Sequence, residues 1–266
     1  MNLGRVKSFL IFLFLAINIY LVVSLALSSE FRIDDTTIDN TVAILKKSDI
    51  TVKKDIIPKK AVNLTNIETV NVIHTDRFKK SENADKFKIS GDSFSCVLKD
   101  SGLYNQKDSK IVKYIKSFLE EAGFDSGYME FSAVTKSDNT KKLTVNCTVK
   151  DYSVFDSRII AEITASACTL SGIWYEPRTS SVISNSRTRN TVYITSILID
   201  IAENTDFKAK KITNIEFGYL SGSLYGNTGH LTATALPYYR LTDENKNVYY
   251  YDAADGTYNN SVSKSD

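Results

Sequence analysis

The sequence predicts an α+β protein: a single N-terminal transmembrane helix, then two small extracytoplasmic domains of antiparallel sheets and packed helices. Three observations point there. The run from Phe9 to Leu27 has no charged residue. Two segments, after Asp34 and after Asp108, carry apolar residues at helical spacing. Elsewhere, short alternating apolar runs separated by polar turns fall into two groups that meet near residue 155.

The leading segment comes first. At about 1.5 Å per residue, a helix over residues 9–27 is about 28 Å long, close to the hydrocarbon thickness of a bilayer. Arg5 and Lys7 precede it, and Glu30, Arg32, Asp34 and Asp35 follow. The positive-inside rule keeps residues 1–8 in the cytoplasm and sends the rest outside. A cleaved secretory signal is the alternative, but its apolar core is usually 7–15 residues long, and Ala26-Leu27-Ser28 is a poor cleavage site. Phe14, Asn18, Leu21 and Leu25 share one helix face. Asn18 either finds a hydrogen-bond partner on another helix or bonds a carbonyl of its own. The first choice makes these four residues candidate contacts with a partner in the membrane.

The first domain is expected over residues 30–155. Asp34 and Asp35 cap a helix whose Ile38, Val42 and Leu45 lie on one side. Ile50–Ile57 is apolar and closed by Pro58-Lys59-Lys60. Thr69–Thr75 reads as a strand, and Phe87–Leu98 as a strand pair around Gly91-Asp92. Asp108 starts a second helix with Ile111, Ile115, Phe118, Leu119 and Ala122 in a stripe, stopped by Gly123. Tyr128–Val134 and Leu143–Val149 alternate like half-buried strands.

The second domain is expected over residues 156–255. Ile159–Cys168 and Gly172–Tyr175 read as sheet, residues 178–190 as a polar stretch, Thr191–Glu203 as a helix and Ile212–Leu220 as a strand. Two Tyr-rich runs around Asp243–Asn247 give a hairpin signal. Residues 256–266 are polar and read as a flexible tail.

Chemistry is hard to find in this chain. Beyond residue 29 the charges balance, 31 basic against 31 acidic, so nothing draws it to nucleic acid. There are two histidines, His74 and His230, and no HExxH, CxxC or EF-hand loop, so no metal is expected. Gly218, Gly222, Gly226 and Gly229 lack the Lys-Ser/Thr of a phosphate-binding loop, and Ser223 lies at the wrong spacing for GxSxG. Glu120 and Glu121 sit on a solvated helix face. No catalytic residue and no cofactor are expected. Of the three cysteines, Cys147 and Cys168 are the most plausible bridge, weighed against small buried thiols.

The composition is unusual in its 15 tyrosines. On the closing hairpin, Tyr249 and Tyr251 share a face and Tyr250 points the other way. One face is expected in the core and the other in contact with a partner, with Tyr249 and Tyr251 as the candidates.

Both ends of the chain resemble the YycI family of membrane-anchored regulators in low-GC Gram-positive bacteria. At the front, Arg5–Lys7, the anchor with Leu15-Ala-Ile-Asn18-Ile-Tyr-Leu21, the helix Asp34–Lys47, Ile50-Thr-Val and Ile57-Pro58-Lys59-Lys60 carry the likeness. At the back it is carried by Ile215-Glu-Phe-Gly-Tyr219, Leu236-Pro237-Tyr-Tyr-Arg240, Val248-Tyr-Tyr-Tyr-Asp252-Ala253 and Asp255-Gly256. The back also looks like a PepSY-type hairpin. The resemblance implies a non-enzymatic regulator of a two-component sensor histidine kinase that controls cell-wall metabolism. It further implies contacts with a WalK-like kinase and a YycH-like sister protein, inside the membrane and outside it. A tethered PepSY-like binding or peptidase-inhibitor module is the second expectation.

Overall fold

The computed structural model describes residues 11–21, 32–60, 66–99, 102–182, 191–204, 207–221 and 231–264. Residues 11–21 form helix α1. Then come α2 (Asp35–Lys47), β1 (Thr51–Val52), β2 (Ile67–Asn71), the single turn α3 (Asp76–Lys79), β3 (Phe87–Ser90) and β4 (Ser93–Lys99). Helix α4 (Asp108–Glu121) leads into β5 (Met129–Phe131), β6 (Thr135–Ser137), β7 (Thr140–Val149), β8 (Tyr152–Ile163), β9 (Ala167–Ile173) and β10 (Tyr175–Val182). The chain closes with α5 (Ile194–Glu203), β11 (Lys211–Leu220), β12 (Thr232–Asp243), β13 (Asn247–Asp252) and β14 (Tyr258–Lys264).

The predicted architecture is corrected here. In place of two small antiparallel domains, the described residues form one 14-stranded mixed sheet whose spine runs β10-β2-β12-β11-β8-β9-β4-β3. Strands β1 and β8 both pair with β11 in parallel. The expected boundary near residue 155 falls inside β8. The polarity of Asp156-Ser157 suggests a linker, yet Asp156 accepts from the Ser221 N–H just past β11, and the Ser157 hydroxyl bonds the Tyr175 main chain at the start of β10. Polar residues in mid-strand mark a bulge here.

The single transmembrane helix of the predicted fold is not seen either. Among the described residues, no helix is long and apolar enough to cross a membrane. Helix α1 covers 11–21 only, and the rest of the apolar run lies outside the described residues.

Smaller differences have local causes. The expected strand 69–75 ends at Asn71, because the Asn71 carboxamide accepts from the Ile73 N–H and turns the chain into a 3₁₀ turn over Val72–His74. The polar segment after residue 256 is paired as far as Lys264, as edge strand β14 on β13. Its alternation is too polar to read as a strand, and β13 supplies the missing hydrogen bonds.

Two cores lie against this sheet. Helix α4 buries Ile111, Ile115, Phe118 and Leu119 with Leu143, Val145, Ile159 and Leu170 of the strands. Phe78, Phe87, Phe94, Phe124 and Trp174 extend that core, mostly edge-to-face or tilted. Helices α2 and α5 bury Ile38, Leu45, Ile197, Leu198 and Ile201 with Ile212, Ile215, Tyr239, Leu241 and Tyr251. The Asp34 side chain caps α2 by accepting from the Thr37 N–H. A third, smaller cluster of Phe155, Leu220, Tyr238, Val248 and Tyr250 takes residues of β12 and β13 that alternate with those in the second core.

Strands β7 and β8 are joined by two residues, Lys150 and Asp151, both with positive φ (49° and 71°). That is the type I′ arrangement, which favours Asn-Gly. Asp151→Gly should therefore stabilise the fold by about 1 kcal/mol, read as a higher urea midpoint. An unchanged or lower midpoint would show that the Asp151 carboxylate contributes as much as the turn strain costs.

Candidate functional site

The two halves of the sheet meet at β8. Its residues Arg158–Ile163 pair with β9 and its Ser153 and Val154 with β11. Strand β7 runs beside both stretches, but the register slips: Cys147 faces Val154 while Asn146 faces Arg158. Phe155, Asp156 and Ser157 are the extra residues, and each is tied down. Asp156 Oδ1 accepts from the Ser221 N–H at 2.9 Å. Ser157 Oγ bonds both the N–H and the carbonyl of Tyr175 at 2.9 Å.

Phe155 swings over β11 at Gly218, where a Cβ would lie 2.4 Å from the Ser153 carbonyl oxygen and 2.6 Å from the Phe155 ring. The Arg240 guanidinium sits 4.3 Å above that ring. It donates to Glu216 Oε2 from Nε at 2.9 Å and from Nη2 at 2.5 Å. Two hollows open on this seam and share Ser153, Phe155 and Glu216. One, of about 430 Å³, adds Pro58, Lys59, Lys60, Asp151, Tyr152 and Phe217. The other, of about 310 Å³, is lined by Glu130, Asn146, Arg158 and Arg240 among others. With cations, carboxylates, amides and aromatic edges side by side, the seam suits recognition of a polar, extended ligand.

A second polar cluster is buried nearby. Glu176 accepts from Arg77, from the Asp125 N–H at 3.1 Å and from Trp174 Nε1 at 3.4 Å. Burial pushes its carboxyl above the usual range, against the pull of Arg77 and the other donors. Beside it, the Asn71 carboxamide donates to the Asp92 carbonyl at 3.1 Å, and His74 Nε2 lies 3.7 Å from Asp92 Oδ1. Burial, reinforced by Asp92, pushes the Tyr175 phenol up to about 12. This cluster holds β10 to β2 and to the loop after α4, which is a structural task.

The thiols are poorly placed for chemistry. Cys96, Cys147 and Cys168 are all buried and free, and the bridge weighed between Cys147 and Cys168 is not formed. Those two sit on β7 and β9 with β8 between them. Burial raises all three, Cys168 to about 12, so thiolate is scarce at neutral pH. Among the described residues, no three His, Cys, Asp or Glu side chains are grouped to hold a metal. His230, and Ser223 with its neighbouring glycines, lie outside the described residues.

The six predicted contact residues fare differently. Phe14 and Leu21 are exposed on α1, and Asn18 Nδ2 donates to the Phe14 carbonyl of its own helix at 2.8 Å. Leu25 lies outside the described residues. Tyr251 is only 6% exposed and belongs to the core under α2 and α5, with half-buried Tyr249 packed against it. Tyr249 donates to Asp243 Oδ2 at 3.0 Å, and burial, with Asp243, holds its phenol up at about 12. The closing hairpin is thus covered on both faces, because helices pack one side and Phe155 the other. Alternation shows which tyrosines share a face, but not whether a distant element covers it.

The seam was missed from the sequence because its residues come from five separate segments, within 58–60, 130–132, 146–158 and 216–217 and at Arg240. The only local trace of it is the Asp156-Ser157 interruption in an otherwise apolar strand. No protein-family model matches this chain, and no curated protein matches it either.

Proposed function

We propose that the protein is a non-enzymatic regulator that binds a membrane sensor histidine kinase, of the WalK-like kind, together with a YycH-like sister protein. The location that goes with this is the cell membrane. The observation that carries the reading is helix α1, where Phe12, Phe14, Leu15, Ile19 and Tyr20 are all more than half exposed. A continuous apolar surface of that kind is stable only when lipid or a protein partner covers it. The choice of a kinase as partner rests on the likeness of both ends of the chain to the YycI family. A regulator of this type works by binding one signalling state of its kinase better than the other.

The test is kinase autophosphorylation in proteoliposomes, with and without the full chain. Addition should change the rate, and Phe14→Ala/Leu21→Ala should weaken co-purification with the kinase by about tenfold, the loss of two apolar contacts. Asn18→Leu should change it less than about twofold, since that carboxamide already bonds its own helix. Identical phosphorylation with and without the protein would sink the regulator.

The seam hollows favour a second reading, a tethered binding module. Exchanging residues 1–29 for an unrelated apolar anchor separates the two. A tethered module keeps its activity after the exchange, whereas a regulator acting through α1 loses it.

A further inference from the structure

Strand β11 is paired along one edge by β12, from Ile212 to Leu220. Along its other edge, the described residues pair it at the ends. Strand β1 takes Lys211 and Ile212, and β8 takes Gly218 and Tyr219. Among the described residues, no strand pairs residues 213–217 on that side. The stretch without a strand partner is about 17 Å long at about 3.4 Å per residue, and the 3₁₀ turn Lys54–Ile56 packs against β11 at its β1 end. The larger seam hollow lies beside it, lined by Glu216 and Phe217 of β11, by Asp151–Ser153 at the start of β8, and by Pro58–Lys60.

We infer that this gap is a strand-addition slot, which takes four or five residues of an extended peptide from a partner protein. An unpaired strand edge presents N–H and C=O groups at the spacing of another strand, so it recognises peptide main chain more readily than any small molecule. A long exposed edge invites aggregation. This one is short and closed at both ends, which blunts edge-to-edge association and still admits a single segment.

Charge narrows the occupant further. Lys59 and Lys60 come from one segment of the lining, and Asp151 and Glu216 from two others. Lys59 is held by Asp35 at 2.6 Å, but both side chains are well exposed, and such a pair is readily exchanged. The fitting peptide therefore carries an acidic residue for Lys59 and a basic one for Asp151, since Glu216 is already held by Arg240. Tyr152 and Phe217 stand edge to face at 5.6 Å, an apolar corner for a side chain between them. The slot lies beside the Arg32–Lys60 bridge, where the chain arriving from α1 joins the folded part. The inference is independent of whether the partner is a kinase.

The experiment selects a displayed library of random octapeptides on the full chain in detergent, then follows amide hydrogen exchange with the selected peptides bound. Enriched peptides should lack proline at their centres and should slow exchange by about tenfold at the amides of residues 213–217 that point away from β12. Lys59→Glu/Lys60→Glu should weaken them by about tenfold without changing the circular dichroism spectrum. Failure to enrich, or protection elsewhere, overturns the slot. So does slow exchange in the free chain at those same outward-facing amides, which would mean that another segment or a second copy already fills it. Light scattering then tells those two apart.

Discussion

Replacing Gly218 by alanine is expected to destabilise the protein by about 3 kcal/mol or more, near the upper end of what overpacking costs. The added methyl would sit 2.4 Å from the Ser153 carbonyl and 2.6 Å from the Phe155 ring. A ring can tilt away, but the carbonyl belongs to the two-residue parallel pairing that joins β8 to β11. Relief would therefore have to come from parting the strands. For a chain of this size the melting temperature should fall by roughly 10 °C. Adding Phe155→Ala should not restore it, because the clash with main chain remains and the third core cluster loses its largest apolar side chain. A melting temperature within about 2 °C of the parent would show that the strands can move apart at little cost.

The second large effect is expected at Glu176. Its carboxylate is 5% exposed and accepts from three donors, two of them the Trp174 and Asp125 N–H groups. Glu176→Ala leaves those donors unsatisfied at about 1–3 kcal/mol each. Arg77 is half exposed at 49% and recovers most of its loss from water. The total should be about 3 kcal/mol, and Glu176→Gln, which keeps an acceptor, should cost less.

The pH dependence gives an independent check. Because burial raises the folded-state pKa of Glu176, the folded protein binds that proton more tightly than the unfolded chain does. The resulting stabilisation is full below the unfolded value of 4.5 and is lost as pH rises through the folded one. Urea unfolding should therefore show the parent gaining on Glu176→Gln between pH 7 and pH 4.5. A difference that is constant with pH, or that shrinks on acidification, would reverse the assigned direction.

Much of the local structure was legible in the sequence. Helix α4 follows from a stripe at spacings of four, three and one, with an acidic start and a glycine stop. Helix α2 follows from its aspartate cap. These signals are short-range and survive in any tertiary setting. The sheet topology was not legible, because β2 pairs with β10 and β12 across more than a hundred residues, and no periodicity encodes a partner. The Tyr249/Tyr251 face shows the same limit: alternation sorts side chains into two faces, while α5, fifty residues earlier, decides which one is covered. The seam lies furthest from sequence reading, since Lys59, Phe155, Glu216 and Arg240 converge only once the sheet has closed.

Strand β8 has a further consequence. One stretch of backbone supplies hydrogen bonds to the neighbours of both halves, so neither half is a portable module. Any cut that frees one leaves the other with a torn border and a bare row of amides. The two halves are expected to melt as one cooperative unit, read as coincident transitions by far-ultraviolet circular dichroism and by Trp174 fluorescence.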